Sequence, residues 1–239
     1  MMTQAAIAID SAKGIDPSAL RNVPLFADFE DGALDELARL FTVQSFRKHQ
    51  TIFREGDPGE KFYVVVSGSV AVVRDAGEGR ETILSLLTTN DFFGEMSVFD
   101  SSVRSAGIRT LTPAEVGVIH RDDFLALIDR SPRIGRALVV ALADRLRAAN
   151  AMIASTSSQD IRSRLASLLL HLKEQFGEAI PEGTRITLRL TNQEMANMIG
   201  TTRETVNRSL NRFWDERLID MKTSHIVVSD EAALRALVV

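Results

Sequence analysis

Eight of the 14 glycines fall between Gly56 and Gly117, and they cut that stretch into short runs rich in Val, Ile and Thr. Glycine at such spacing reads as turns between strands. Segments 61–66, 69–74, 81–87 and 115–120 each have the length of an ordinary strand. Many short strands in one block predict a sandwich or barrel, because each strand has an apolar face that only another sheet can cover. After Ser131-Pro132 the pattern changes. Ser131 suits a helix N-cap and Pro132 the first helical position. Ile134, Leu138, Ala141, Leu142, Leu146, Ala149 and Ile153 then recur at steps of three and four, with no Pro or Gly from Arg136 to Gln159, which predicts one helix of about six turns. Its apolar stripe must lie against something. The choice is its own barrel or, as preferred here, a parallel pairing with the same helix of a second subunit.

Composition narrows the function classes. A chain of 239 residues that is 45% hydrophobic and 25% charged is ordinary for a soluble globular protein of one large or two small domains. It has no cysteine, which removes disulfides, thiolate metal sites, iron–sulfur clusters and a cysteine nucleophile together. Four scattered histidines (His49, His120, His171 and His225) show neither metal-ligand spacing nor a nucleophile–base arrangement, so no enzymatic activity is expected. No apolar run approaches the roughly 18 residues of a membrane span, and residues 1–14 lack a basic leader before an apolar stretch. A cytoplasmic protein with no membrane partner is expected. The net charge of −4 looks unfavourable for nucleic acid, but it is unevenly placed: residues 1–159 hold 17 basic and 21 acidic side chains, residues 160–239 hold 11 of each. A neutral domain binds DNA when its cations share one face.

The C-terminal third reads as an amphipathic helix over 161–176, a strand over 185–190, helices over 192–199 and 202–217 around a turn at Gly200, and a hairpin over 221–228 with Thr223-Ser224 at its tip. That order is a winged helix-turn-helix. On the second of the paired helices, Arg203, Glu204, Asn207, Arg208 and Asn211 share one face, while Val206, Leu210, Phe213 and Trp214 share another, expected to be core. Arginine forks match guanine O6 and N7, and a carboxylate can accept from cytosine N4, so this polar face suits base edges. A solvated helix with an internal Arg–Glu pair is the plainer alternative.

The run from Leu190 through Thr191, Gln193, Gly200, Thr201, Thr202, Arg203, Glu204, Thr205, Val206 and Asn207 to Arg208 resembles the helix-turn-helix of the cyclic AMP receptor protein (CRP/FNR) family, in which an Arg-Glu-Thr-Val-x-Arg recognition helix is characteristic. The resemblance implies that Arg203, Glu204 and Arg208 read a GTGA-like half-site and that Thr191, Gln193, Thr201 and Thr202 touch phosphates. Asn207 stands where some members carry glycine. Major-groove docking of such a helix and half-site spacing of one turn are properties of the founding member, which is the standard illustration of this motif.

A second constellation runs from Phe93 through Gly94, Glu95, Met96 and Ser97 to Arg104, Ser105 and Ala106. Glycine at 94 lets backbone approach an anion, and a helical turn beginning there would aim free N–H groups at a phosphate. Arg104 offers a fork to a phosphodiester, Ser105 a hydroxyl donor, and Glu95 an acceptor for a ribose hydroxyl. A Glu95–Arg104 salt bridge across a barrel turn is the structural alternative, since a buried Arg ordinarily needs a carboxylate. The segment resembles the phosphate-binding cassette of cyclic-nucleotide-binding domains. This implies that Gly94, Glu95, Arg104 and Ser105 hold the sugar and cyclic phosphate, with Met96, Ser97 and Ala106 beside them. Arg145 and the pair Ala149-Asn150 would lie near the base, Asn150 from a partner subunit. At Ala149 and Asn150 the founding member has threonine and serine, which leaves cAMP or cGMP open.

Together the resemblances imply an α+β protein: an N-terminal extension (1–21) that reads as either a capping helix or a loose tail, a cyclic-nucleotide-binding β-barrel of jelly-roll type (22–130), a dimerisation helix (131–159) and a winged helix-turn-helix domain (160–239). The implied function is a homodimeric transcription regulator that binds palindromic double-stranded DNA, contacts RNA polymerase, carries no prosthetic group or metal, and responds to cAMP as allosteric ligand. The competing readings are a haem gas sensor using His49 or His120, and a regulator whose nucleotide pocket is vestigial.

Overall fold

A computed structural model describes residues 9–77, 80–100, 102–158, 160–221 and 225–238. The chain divides into two compact units, Met1–Arg145 and Leu146–Val239. In the first, strands β1 (Ile9–Gly14), β2 (Thr42–Phe46), β9 (Ala114–His120), β4 (Lys61–Ser67) and β7 (Phe92–Phe93) form a five-stranded antiparallel sheet in that order. A second antiparallel sheet has the order β3 (Thr51–Phe53), β8 (Gly107–Thr110), β5 (Ser69–Gly77) and β6 (Arg80–Thr88). The helices of this unit are α1 (Pro17–Arg21), α2 (Asp31–Ala38), α3 (Glu95–Asp100), α4 (Arg121–Arg130) and the start of α5 (Pro132–Ser158).

The two sheets make the jelly-roll sandwich, and the side-chain period of a strand explains how a third layer is added. Along β4, Tyr63 and Val65 point to the core shared with Val70, Leu87 and Ile108 of the other sheet. The alternate residues Phe62 and Val64 point the opposite way, into a core with Leu20, Phe26, Leu34, Phe124 and Ile134 of the helices. The five-stranded sheet is thus buried on both faces, which is why β4 reads as an unbroken apolar run. Adjacent residues of β7 divide likewise, Phe92 to the helical core and Phe93 to the sheet core. Phe62 anchors the helical side, stacked 3.9 Å from the Phe124 ring and 5.6 Å from that of Phe92.

Of the N-terminal extension, residues 9–21 are described. Its described part adds a strand, β1 against β2, followed by α1, whose N-cap Asp16 accepts from the Ser18 amide. The long helix is covered by its own barrel over part of its length. Ile134 and Leu138 are buried and Ala141 and Leu142 are packed in the same helical core, so the first half of the stripe lies on its own barrel. Among the described side chains of α5, Val139, Val140 and Leu146 are exposed, at 66%, 55% and 62%.

The second unit is built on α6 (Ile161–Phe176), capped by the Asp160 carboxylate accepting from the Ser163 amide at 2.7 Å. A four-stranded antiparallel sheet follows with the order β10 (Gly177–Ile180), β11 (Gly183–Ile186), β13 (Val227–Val228) and β12 (Ile219–Asp220). Helices α7 (Asn192–Ile199), α8 (Arg203–Asp215) and α9 (Glu231–Ala236) complete it. The strand expected over 185–190 ends at Ile186, because Thr187 turns back to bond the Phe176 carbonyl through its amide and its hydroxyl. Ile186 and Leu188 are both buried, so the alternation reported burial correctly and pairing incorrectly. The first wing strand lies at Ile219–Asp220, before the 221–228 expected. The tip at Thr223-Ser224 lies outside the described residues.

Phe62→Ala should destabilise the N-terminal unit by about 3 to 5 kcal/mol, since it removes a fully buried ring with little room for collapse. Denaturant unfolding checks this through the midpoint at unchanged slope.

Candidate functional site

The cassette is assembled around one buried cation. Arg104 is only 3% exposed. Its Nη1 donates to the Gly94 carbonyl at 2.9 Å and to Ser97 Oγ at 2.7 Å, and its Nη2 donates to the Lys61 carbonyl at 2.7 Å. The guanidinium lies 4.3 Å from the centre of the Phe53 ring and 5.4 Å from that of Tyr63. Burial pulls its pKa below the usual guanidinium value, opposed by Tyr63, Glu95 and Asp57, and burial raises the Tyr63 phenol. Arginine nevertheless stays protonated, so a full positive charge sits at this point. Its Nε–H is buried and has no partner among the described residues.

The salt bridge weighed from the sequence does not form in that pairing. The buried Glu95 instead takes Arg145 of α5, whose Nη1 lies 3.0 Å from Glu95 Oε1. Arg145 also donates to the Phe92 carbonyl at 2.5 Å and lies 4.4 Å over the Phe92 ring. Cassette and long helix are therefore tied by a charged, partly buried bond within the N-terminal unit.

Backbone geometry explains the sequence around the cation. Gly94 has φ +81°, and a Cβ there would lie 2.7 Å from Arg104 Nη1, so only glycine allows both the turn and the close approach. Helix α3 begins at the next residue, as expected. Ser97 is buried, whereas Met96 and Ser105 are exposed and Ala106 is half-buried. Among the described residues Ser105 Oγ finds the Met96 sulfur, at 3.6 Å, a weak acceptor that a phosphate oxygen would readily replace. Ala149 and Asn150 lie exposed on α5 in the second unit.

Several contributors were not legible in the sequence. The loop before β4 holds the Arg104 backbone on both sides: Gly56 N–H donates to the Arg104 carbonyl and Arg104 N–H to the Asp57 carbonyl, both at 2.9 Å. A Cβ on Gly59 would meet Ser97 Cβ at 2.2 Å and the Ser102 carbonyl at 2.7 Å, so this glycine seats α3. Phe53, Tyr63 and the Lys61 carbonyl were also missed. All of these come from strands β3 and β4 and the loop between them, 30 or more residues before the cassette, and backbone carbonyls leave no compositional signal.

The second site lies on α7 and α8. Thr191 and Glu194 form a reciprocal capping box at the start of α7, and Gly200 ends it in the left-handed conformation, φ +66°. Arg164 of α6 donates to the Ile199 carbonyl at 2.7 Å, fixing the turn from the core side. Thr202 caps α8 by accepting from the Thr205 amide. Val206, Leu210 and Phe213 are buried, while Arg203, Glu204, Asn207, Arg208 and Asn211 are all exposed, as are Thr191, Gln193 and Thr202, with Thr201 half-exposed. Trp214 corrects the expected core face: it is 45% exposed, and the α8 core ends with Phe213. Its own amide and the Thr202 hydroxyl hold the Glu204 carboxyl below the usual range, so Glu204 is presented as an anion that can only accept. Gln193 Nε2 donates to Asn197 and Asn192 Nδ2 to Asn207, bonds weak and exposed enough for a ligand to replace.

Two family models match, the cyclic nucleotide-binding domain over residues 43–131 and the Crp-like helix-turn-helix domain over residues 163–237. The chain is 33% identical over 215 residues to the CRP-like cAMP-activated global transcriptional regulator of Mycobacterium tuberculosis, covering 90% of this chain and 96% of that one. The chain belongs to the CRP/FNR family of transcription regulators. It is also 34% identical over 187 residues to the cAMP-activated global transcriptional regulator CRP of Escherichia coli, covering 78% of this chain and 89% of that one. The solved structure of CLP, a c-di-GMP responsive global regulator of Xanthomonas campestris, matches with a TM-score of 0.73 at 28% identity, over 83% of this chain and 99% of that one. This CRP/FNR member is accordingly a DNA-binding regulator of transcription, not an enzyme, with a cyclic-nucleotide-binding domain as its regulatory half. No described helix is long and apolar enough to cross a membrane.

Gly59→Ala should destabilise the N-terminal unit by about 1 to 3 kcal/mol, because its methyl group must displace Ser97. Gly32→Ala, in α2 with nothing within 4 Å of the new methyl, should be neutral or stabilise by up to about 1 kcal/mol. Thermal or denaturant unfolding of the two variants reads the contrast.

Proposed function

We propose that this regulator binds a cyclic nucleotide, cAMP in the first instance, in the cassette of each subunit of a homodimer and reads a palindromic operator with GTGA-like half-sites. The observation that carries the ligand half is the unpartnered, buried Nε–H of Arg104. Buried donors are nearly always satisfied, and a cyclic phosphodiester beside Ser105 supplies the missing acceptor together with the counter-charge. Gly94 and Ser97 shape the phosphate end, Met96 and Ala106 flank it, and Glu95 takes the ribose hydroxyl in competition with Arg145. That competition supplies the switch. A ligand shifts an equilibrium only by binding one arrangement better than another, and withdrawing Glu95 from Arg145 changes what holds α5 to the cassette.

For the DNA half, Arg203, Glu204 and Arg208 are the base readers, with Asn207 beside them and Thr191, Gln193, Thr201 and Thr202 on phosphates. Dimerisation is supported by the uncovered Val139 and Leu146 of α5, seven residues apart on one helix face as in a coiled-coil seam. RNA polymerase is the expected further partner, and the cytoplasm the expected setting. Ala149, where the founding family member has threonine, is compatible with cAMP or cGMP. The c-di-GMP responsiveness of CLP makes c-di-GMP a third ligand to offer.

Calorimetric titration with cAMP, cGMP and c-di-GMP, followed by gel shift on a TGTGA-type palindrome, tests this reading. Arg104→Leu should lose nucleotide binding and the nucleotide-dependent part of the DNA shift; a variant that keeps both refutes the assignment. Arg203→Ala should weaken specific binding by about 1 to 3 kcal/mol and relax preference at one base position. Uniform weakening on all sequences would make Arg203 a phosphate contact instead.

A further inference from the structure

We infer that Ser97 is a positioning residue for phosphate recognition: its buried hydroxyl, pressed into place by Gly59, holds the Arg104 guanidinium in the one orientation that leaves donors free for the ligand. The inference rests on the cyclic-nucleotide reading above and extends it to a residue that would act through Arg104.

A guanidinium has five N–H donors. Here three are committed to protein oxygens: two on Nη1, to Gly94 O and Ser97 Oγ, and one on Nη2, to Lys61 O. That leaves Nε–H, which is buried without a partner, and one hydrogen on Nη2. Of the three anchoring acceptors, two are backbone carbonyls. Ser97 Oγ is the only side chain among them, and at 2.7 Å it makes one of the two shortest of these bonds. The serine is itself held, since its hydroxyl lies 3.4 Å from the Gly94 carbonyl to which it donates. On the other side, the absence of a Cβ at Gly59 leaves just enough room for it. Phe53 and Tyr63 restrict the plane of the guanidinium by lying against it, and the Tyr63 phenol adds a polar contact to Arg104, so which nitrogen points where falls chiefly to the short bonds with Ser97 and the two carbonyls. Without the Ser97 acceptor, one Nη1 hydrogen is left buried and unpaired, and the guanidinium gains by rotating to satisfy it. The edge presented to the ligand then changes.

The test is calorimetric titration of full-length wild type, Ser97→Ala and Ser97→Cys with cAMP and with the Rp and Sp phosphorothioate analogues, which replace one or the other exocyclic phosphate oxygen by sulfur. Thermal unfolding without ligand is measured alongside. Positioning predicts that Ser97→Ala keeps its melting temperature within a few degrees and binds cAMP roughly tenfold more weakly, equivalent to about 1.4 kcal/mol. It also predicts that the ratio of Rp to Sp affinity changes, with Ser97→Cys, which keeps a weak acceptor, falling between the two. A purely structural serine would lower melting temperature and weaken both analogues equally, which overturns the inference, as does unchanged cAMP affinity in Ser97→Ala. If wild type binds none of the three ligands, the nucleotide reading itself fails, and this inference with it.

Discussion

A positive charge buried between two sheets governs the N-terminal unit. Removing an arginine from water is expensive unless its donors are met, and Arg104 meets three of them with two carbonyls and a hydroxyl rather than with a carboxylate. Meeting that demand dictates local structure across several elements. Gly94 must be in a left-handed conformation to turn its carbonyl inward, Gly59 must lack a side chain so that Ser97 fits, and the loop at Gly56 and Asp57 must grip the Arg104 backbone. The jelly roll supplies this because strands remote in sequence meet at one end of the sandwich.

Leaving the cation without a carboxylate partner has a further result. Glu95, nine positions before Arg104 in sequence, is free to pair with Arg145, so the negative charge of the cassette is connected to α5 and its positive charge is left without a carboxylate among the described residues. A direct Glu95–Arg104 bridge would have neutralised both and isolated the cassette from the helix. The observed pairing puts the buried Arg104 cation and the hold on α5 on neighbouring residues of one short segment. The double burial of the five-stranded sheet serves the same end, since Phe92 and Phe93 send adjacent side chains toward the helical layer and toward the Arg104 cluster respectively.

The DNA-reading half follows a simpler logic and was more legible. A helix of period 3.6 separates Val206, Leu210 and Phe213 from Arg203, Glu204, Asn207 and Arg208 without help from the rest of the protein, and Thr202, Gly200 and the Thr191–Glu194 box mark the ends of its two helices locally. The misreadings there came from the same source as the successes. The helical period extends one residue past the last buried position and so predicts Trp214 in the core, and alternation over 185–190 predicts a paired strand where only burial alternates. Amphipathic pattern records which side is covered, and it is silent about what covers it. The long helix shows this best: its stripe is periodic, yet Ile134 and Leu138 are covered by the chain's own barrel while Leu146 of the same stripe is exposed.

The sequence by itself determined the strand-rich block, the helix that follows it, the paired helices with their caps, and the two short motifs whose residue types suit an anion and base edges. All of these are encoded by neighbours within a turn or two of one another, where propensity, capping and glycine conformation act. Only the tertiary structure decided that Arg104 would be held by Ser97 and two carbonyls, that Glu95 would belong to Arg145, and that Gly59 would matter at all. Those outcomes depend on which distant strands and helices come within hydrogen-bonding distance, and a bond of 3 Å between residues 50 apart is a property of the packed fold that no local pattern carries.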